Sequence, residues 1–189
     1  LLQNVKGRIL RFSVNPHSGQ WSSKLVPLPE NGTASISAAS PHSETIFINY
    51  EDHVTPDRLS EFDAGTNKLS TLKSLAARFE AGDLEVHQHM AKSADGTAVP
   101  YFVIHRKGLK PDGSTPTILY GYGGFEISLK PSYSATIGKL WLERGGAYAV
   151  ANIRGGGEFG PRWHKAALKT ERQRAYDDFI PLGEDLSQP

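Results

Sequence analysis

The sequence contains no cysteine, which removes disulfides, thiolate nucleophiles and cysteine metal sites together. An excess of either charge is missing as well: 21 Lys and Arg stand against 20 Asp and Glu, a formal net charge of +1. That balance builds no field for nucleic acid or an anionic membrane surface, and neither is predicted as a partner. No apolar run approaches the roughly 20 residues of a membrane-spanning helix. The chain opens Leu1-Leu2-Gln3 with no initiating Met, no charged leader and no cleavable apolar segment, so residue 1 reads as a cut into a longer protein. A Walker Gly-Lys-Ser/Thr loop and a Gly-x-Ser-x-Gly nucleophile elbow are both absent. Three Trp, seven Tyr and eight Phe in 189 residues fit a globular protein with one full core or parts of two.

The most informative stretch runs from Thr117 to Gly160. Thr117-Ile118-Leu119-Tyr120 is a short apolar strand that empties into Gly121-Tyr122-Gly123-Gly124-Phe125, and Ala147 to Ile153 is a second that empties into Arg154-Gly155-Gly156-Gly157-Glu158-Phe159-Gly160. Between them Ile137, Leu140, Trp141 and Arg144 recur at helical spacing, with Gly145-Gly146 as a stop. Strand, helix, strand is a βαβ unit, whose right-handed crossover makes the strands parallel. Both glycine turns then leave the same carboxyl edge of the sheet, where open α/β folds place ligands.

Residues 1 to 76 read as antiparallel β. Leu10, Phe12 and Val14 alternate with polar residues and stop at a turn cluster, Asn15 to Gly19; Ser22 to Leu28, the alternation Ile46, Ile48, Tyr50, and Leu59 to Asp63 continue the beat. The spacing suits a sandwich, a barrel or propeller blades, and no strictly repeated blade signature selects among them. Ser74 to Glu80 is briefly helix-like. Leu84, Val86 and Met90 then share one face of a strand, with Glu85, His87 and His89 on the other. Two histidines and a carboxylate at that spacing can ligate zinc, but with no fourth ligand in view they are read as an exposed polar face, and no metal site is predicted. Pro161 suits the first turn of a helix, and Arg172 to Phe179 suggests another with a charged face. Pro181 and Gly183 are expected to interrupt it, an interior proline costing roughly 3 kcal/mol.

For chemistry, Gly155 to Gly160 formally satisfies the dinucleotide fingerprint, with Asp177 and Asp178 about 20 residues on. It follows the second strand of the unit rather than the first, so no nucleotide cofactor is predicted. Ser132 or Ser134 is most simply a helix N-cap. The turn at 121 to 125 offers backbone N–H groups and a phenol: Tyr122 is placed to donate to an oxyanion, and Phe125 to wall an apolar pocket. Two aromatics packing under a loop would satisfy the same residues.

Tyr120-Gly121-Tyr122-Gly123-Gly124-Phe125, the run Ala151 to Gly160 with Trp163-His164, Asp177-Asp178-Phe179, Asp95-Gly96-Thr97 with Val99-Pro100, and the loop Lys107-Gly108 to Asp112-Gly113 together resemble the prolyl oligopeptidase family of serine peptidases. The resemblance covers about residues 45 to 180. It implies a β-propeller followed by an α/β-hydrolase domain, with residues 1–76 as C-terminal blades and 77–189 as the N-terminal part of the catalytic domain. It further implies that Tyr122 is the oxyanion donor and Phe125 an aromatic of the proline pocket, while Arg154 and the glycines after it form a structural turn. The family's serine, aspartate and histidine are expected beyond Pro189, supplied by remaining segments of the same enzyme. The implied activity of the parent is hydrolysis of short proline-containing peptides on the carboxyl side of proline, with no cofactor. A non-catalytic propeller-containing binding module, and an acyl-peptide hydrolase or esterase of the same fold, are the alternatives.

Overall fold

A computed structural model describes residues 1–187. The chain separates into two compact units: Leu1–Ala76 with Pro131–Tyr133, and Ala77–Lys130 with the residues from Ser134 onward. Nearly every strand pairing in both is antiparallel.

In the first unit, β1 (Leu2–Gln3) pairs with β2 (Lys6–Gly7), and β3 (Leu10–Val14) with β4 (Trp21–Leu25). The β3–β4 turn is set by one side chain, since Asn15 Oδ1 accepts from the backbone N–H of His17 at 2.9 Å and of Ser18 at 3.1 Å. β4 stops at Leu25, short of the Leu28 that the sequence suggests. β5 (Gly32–Ala39), β6 (Thr45–Asp52), β7 (Arg58–Asp63) and β8 (Lys68–Ser74) form a four-stranded meander in chain order. Period-two alternation in β6 buries Ile48 and Tyr50, and Ile48 joins Phe62, Ile9 and Val26 in the unit's core. The segment after β8 is not helical. Phe79 is buried with its ring in the space that a Cβ on Gly138 would fill, and Glu80 N–H donates to Glu143 Oε1 at 2.9 Å. These distant partners hold the segment out of a helix, with bends at Arg78 and Phe79, overriding a weak local helical preference.

In the second unit, β9 (Leu84–Lys92) and β10 (Ala98–Arg106) are a long hairpin, followed by β11 (Thr117–Gly121), α1 (Ala135–Leu140), β12 (Ala147–Ala151), α2 (Pro161–Lys165) and α3 (Gln173–Leu186). The sheet order is β11-β12-β10-β9, with β11 and β12 parallel from Thr117↔Ala147 to Gly121↔Ala151. Ser134 caps α1, its Oγ accepting the Ile137 N–H at 3.3 Å. The helix is shorter than the apolar spacing predicts: it ends at Leu140, gives one 3-10 turn over Leu142–Arg144 and stops at Gly145 in the left-handed region, φ 92°. Met90 is 51% exposed and so does not share a buried face with Leu84.

The interruption expected at Pro181 does not occur, because α3 runs on to Leu186 with the proline inside it. Proline lacks the N–H that would bond the Asp177 carbonyl. That carbonyl instead accepts from Ser93 Oγ at 3.1 Å, a hydroxyl brought over by the strand hairpin. The stripe Ala175, Asp178, Leu182 is buried, and Phe179 and Leu186 pack beside it against Tyr101, Val103 and Ala151. The helix is therefore fixed by tertiary burial, which outweighs a poor interior residue. Among the described residues no helix is long and apolar enough to cross a membrane.

Candidate active site at the glycine turns

Because β11 and β12 are parallel and in register, Gly121 and Ala151 finish side by side, and the two glycine-rich turns that follow meet. The first turn bends sharply. Phe125 and Glu126 both adopt left-handed backbone, φ 53° and 58°, a conformation that costs a non-glycine residue on the order of 1–3 kcal/mol and persists only where its surroundings enforce it. The enforcement comes from the second turn. A Cβ on Gly155 would lie 2.2 Å from the Gly123 carbonyl oxygen, and one on Gly157 would lie 2.2 Å from that of Glu126. The missing side chains are seats for the first turn's carbonyls. Glu126 N–H in turn donates to the Gly155 carbonyl at 3.2 Å, and His164 Nδ1 stands 2.7 Å from the same oxygen. In the tautomer that donates to this carbonyl, His164 is a brace for the turn.

Tyr122 and Phe125 project from this braced loop, 40% and 83% exposed, with ring centroids 6.4 Å apart and planes inclined by 24°. They border a cavity of about 690 Å³ whose other walls include Glu126, His164, Lys169 and Arg172. Arg172 reaches across to donate to the Gly123 carbonyl and lays its guanidinium 5.5 Å from the Tyr176 ring centroid. A phenol, an aromatic face and two cations thus share one concavity at the carboxyl edge of the parallel pair. Such a surface can donate a hydrogen bond to a developing oxyanion and receive a compact apolar group.

Behind the turns lies a buried ionic cluster. Arg154 Nε and Nη2 donate to Asp178 at 2.6–3.0 Å, its backbone N–H donates to Asp178 Oδ2 at 2.9 Å, Nη1 donates to Asp95 at 2.5 Å and Nη2 to Ser93 Oγ at 3.2 Å. Asp178 is fully buried, and such a charge is tolerable only with this complete set of partners. The hydrogen bond from Arg154, before any other influence, holds the Asp95 carboxyl well below the usual range. The cluster ties the end of β12 to the β9–β10 turn and to α3. Arg154 therefore positions the second turn, and with it the seat of Tyr122 and Phe125.

Two further pairings were not legible from spacing. Glu158 is buried, its Oε1 accepting from Leu129 N–H at 2.9 Å and lying 3.4 Å from Asn152 Nδ2, and burial pushes its carboxyl pKa up. Its Oε2 fills the space that a Cβ on Gly156 would need. The glycine-rich segment is therefore occupied by the first turn's carbonyls and the Glu158 side chain, and Asp178 is consumed by Arg154. Both parts of the dinucleotide pattern are thus spoken for. His89 stacks on Tyr101, centroids 5.4 Å apart, with its ring 6.2 Å from that of His87, and it is His105 from β10 whose ligating atom lies close to those of Glu85 and His87. Spacing within one strand could show only the first three; the cross-strand partner becomes visible once the hairpin register is known.

Residues 131–188 match the model of the prolyl oligopeptidase family. The chain is 52% identical over 186 residues to an uncharacterized peptidase of Sinorhizobium fredii, covering 98% of this chain and 25% of that protein. It is 38% identical over 163 residues to the prolyl endopeptidase of Elizabethkingia miricola, covering 86% of this chain and 23% of that one. Among solved structures, prolyl oligopeptidase B of Galerina marginata superposes with a TM-score of 0.82 at 33% identity, covering 98% of this chain and 26% of that chain. The chain thus spans about a quarter of the length of the relatives it matches.

Proposed function

Because the chain belongs to the prolyl oligopeptidase family, we propose that it is part of a serine peptidase that hydrolyses short peptides on the carboxyl side of proline. Residues 1–76 serve as blades of a β-propeller, and 77–189 as the opening part of an α/β-hydrolase domain. The observation that carries the reading is the pairing of Tyr122 with Phe125 on a loop whose strained backbone is clamped by the second glycine turn.

In this reading the attacking serine, its histidine base and the aspartate that orients the base come from outside these residues. As the serine oxygen adds to the scissile carbonyl, the carbonyl oxygen takes up negative charge, and the Tyr122 hydroxyl donates to it. Phe125 offers its face to the compact pyrrolidine ring of the residue before the scissile bond. The Arg154–Asp178–Asp95 cluster holds the platform without touching substrate. Tyr122→Phe in the intact protein is expected to lower kcat by about two to three orders of magnitude with KM little changed. Labelling of the active serine by a fluorophosphonate should persist in that variant. Unaltered kcat would remove Tyr122 from the chemistry, and failure of the wild-type protein to label at all would remove the peptidase reading itself.

A further inference from the structure

At the opposite end of the second unit's sheet, a cluster of ligating side chains remains that the peptidase reading does not use. The β9–β10 register pairs Glu85 with His105 and His87 with Val103, so Glu85, His87 and His105 emerge on one face from adjacent positions. His87 Nε2 is 3.2 Å from one Glu85 oxygen, and His105 Nδ1 is 3.6 Å from the other. The two imidazoles stack with centroids 5.4 Å apart and planes 17° from parallel. One ligand atom from each of the three residues can be chosen so that all lie within 4.8 Å of one another. His89, two residues along the strand, stacks on Tyr101 with its ring 6.2 Å from that of His87 and is not one of the three.

We propose that Glu85, His87 and His105 form a binding site for a single borderline divalent cation, zinc foremost, with a fourth position open to water. The donor set is right for that class: two imidazoles and one carboxylate, with no thiolate to favour softer ions. Tetrahedral zinc with bonds of about 2.0–2.2 Å holds its ligand atoms about 3.4 Å apart, so closing the cluster takes side-chain rotation and no movement of the strands. His105 Nδ1, the ring nitrogen 3.6 Å from Glu85, also lies 2.8 Å from the Arg106 carbonyl, so ligation by this residue exchanges that contact for the metal or turns the ring to present Nε2. The His87 and Glu85 side chains are 50% and 33% exposed, which leaves the fourth position open to water.

The site is separate from the glycine turns. β10 runs against β12 with Tyr101 opposite Ala151 and Ile104 opposite Tyr148, so His105 lies toward the end of the sheet from which β12 enters, and the turns lie at the end from which it leaves. Zinc occupancy and peptide hydrolysis are therefore read independently.

The test is calorimetric titration of zinc chloride into the intact, chelator-stripped protein in a buffer that does not bind metal. One equivalent should bind, and His87→Ala and His105→Ala should each weaken it at least tenfold, while His89→Ala leaves it unchanged. Copper(II) loaded into the wild-type protein should show hyperfine coupling to two imidazole nitrogens in its paramagnetic resonance spectrum. That spectrum needs no variant and so stands even if one fails to fold. Absence of binding to the wild type would overturn the proposal, leaving Glu85 as an ion-pair partner of the histidines alone. Binding that survives both histidine substitutions, or a copper spectrum without two imidazoles, would overturn it equally.

Discussion

At the scale of single residues, the proposed function divides the labour between two aromatics of one loop. Phe125 is far more exposed than Tyr122 although both leave the same turn, and no core packing requires it there. Its exposure and its left-handed backbone are both costs, for which the proposed role in receiving substrate would account. Phe125→Ala should raise KM for substrates with proline before the scissile bond by about tenfold or more. That is the loss expected when an apolar pocket gives up contacts worth 1–3 kcal/mol, and substrates with alanine there should change little. An equal loss for both substrates in steady-state assays would make Phe125 a packing residue. Gly155 makes the complementary case. Its φ of 97° and the Gly123 carbonyl 2.2 Å from a prospective Cβ both oppose any side chain. Gly155→Ala should therefore destabilise the intact protein by more than 1 kcal/mol in urea unfolding and lower kcat through the displaced Tyr122 loop. A variant of unchanged stability and rate would show that the two turns do not interlock.

At the scale of elements, the instructive case is α3, which continues through a proline that the sequence marks as a break. Ser93 stands 84 residues from Asp177 in the chain, yet donates to the carbonyl that Pro181 leaves without a helical donor. Removing that hydroxyl by Ser93→Ala should cost about 1–3 kcal/mol, since a part-buried carbonyl and one buried Arg154 N–H both lose a partner. In a Pro181→Ala background residue 181 regains its N–H, so the same substitution should cost about 1 kcal/mol less. A double-mutant cycle measures this coupling directly, and strict additivity would refute the compensation. The case also marks where sequence reading stops. The parallel strands, both glycine turns and the Ser134 cap are legible because their signals sit within a few residues of one another. The fates of Pro181, of Phe79 on Gly138 and of His105 beside Glu85 are decided by partners on other elements, which no local period encodes. Arg154 lay in plain view inside the glycine motif, but its task became visible only when α3 delivered Asp178 to it.

At the scale of the whole molecule, the two units bury titratable groups of opposite sign in their response to acid. In the first, burial drives the His53 pKa down to about 4, against weaker opposing pulls from Asp52 and the Ser132 backbone. The unfolded chain, with an ordinary histidine near 6.5, binds the proton first, so His53 supports the fold fully above about pH 6.5 and loses that support as pH falls toward 4. The difference of about 2.5 units corresponds to about 3 kcal/mol. In the second unit, burial raises the Glu158 pKa, so this carboxyl favours the folded state more as pH falls through its raised value toward the ordinary one near 4.5. Asp95, held low by Arg154, keeps its ion pair throughout that range. Mild acid should therefore loosen the first unit before the second. Between pH 7 and pH 5 the unfolding transition reported by Trp21, the first unit's only tryptophan, should fall markedly, while that reported by Trp141 and Trp163 should hold. His53→Leu should abolish most of the pH dependence of the Trp21 transition, because no proton is then taken up on unfolding at that position. If that transition remains as acid-sensitive in the variant as in the wild type, the sensitivity belongs to carboxylates and not to His53.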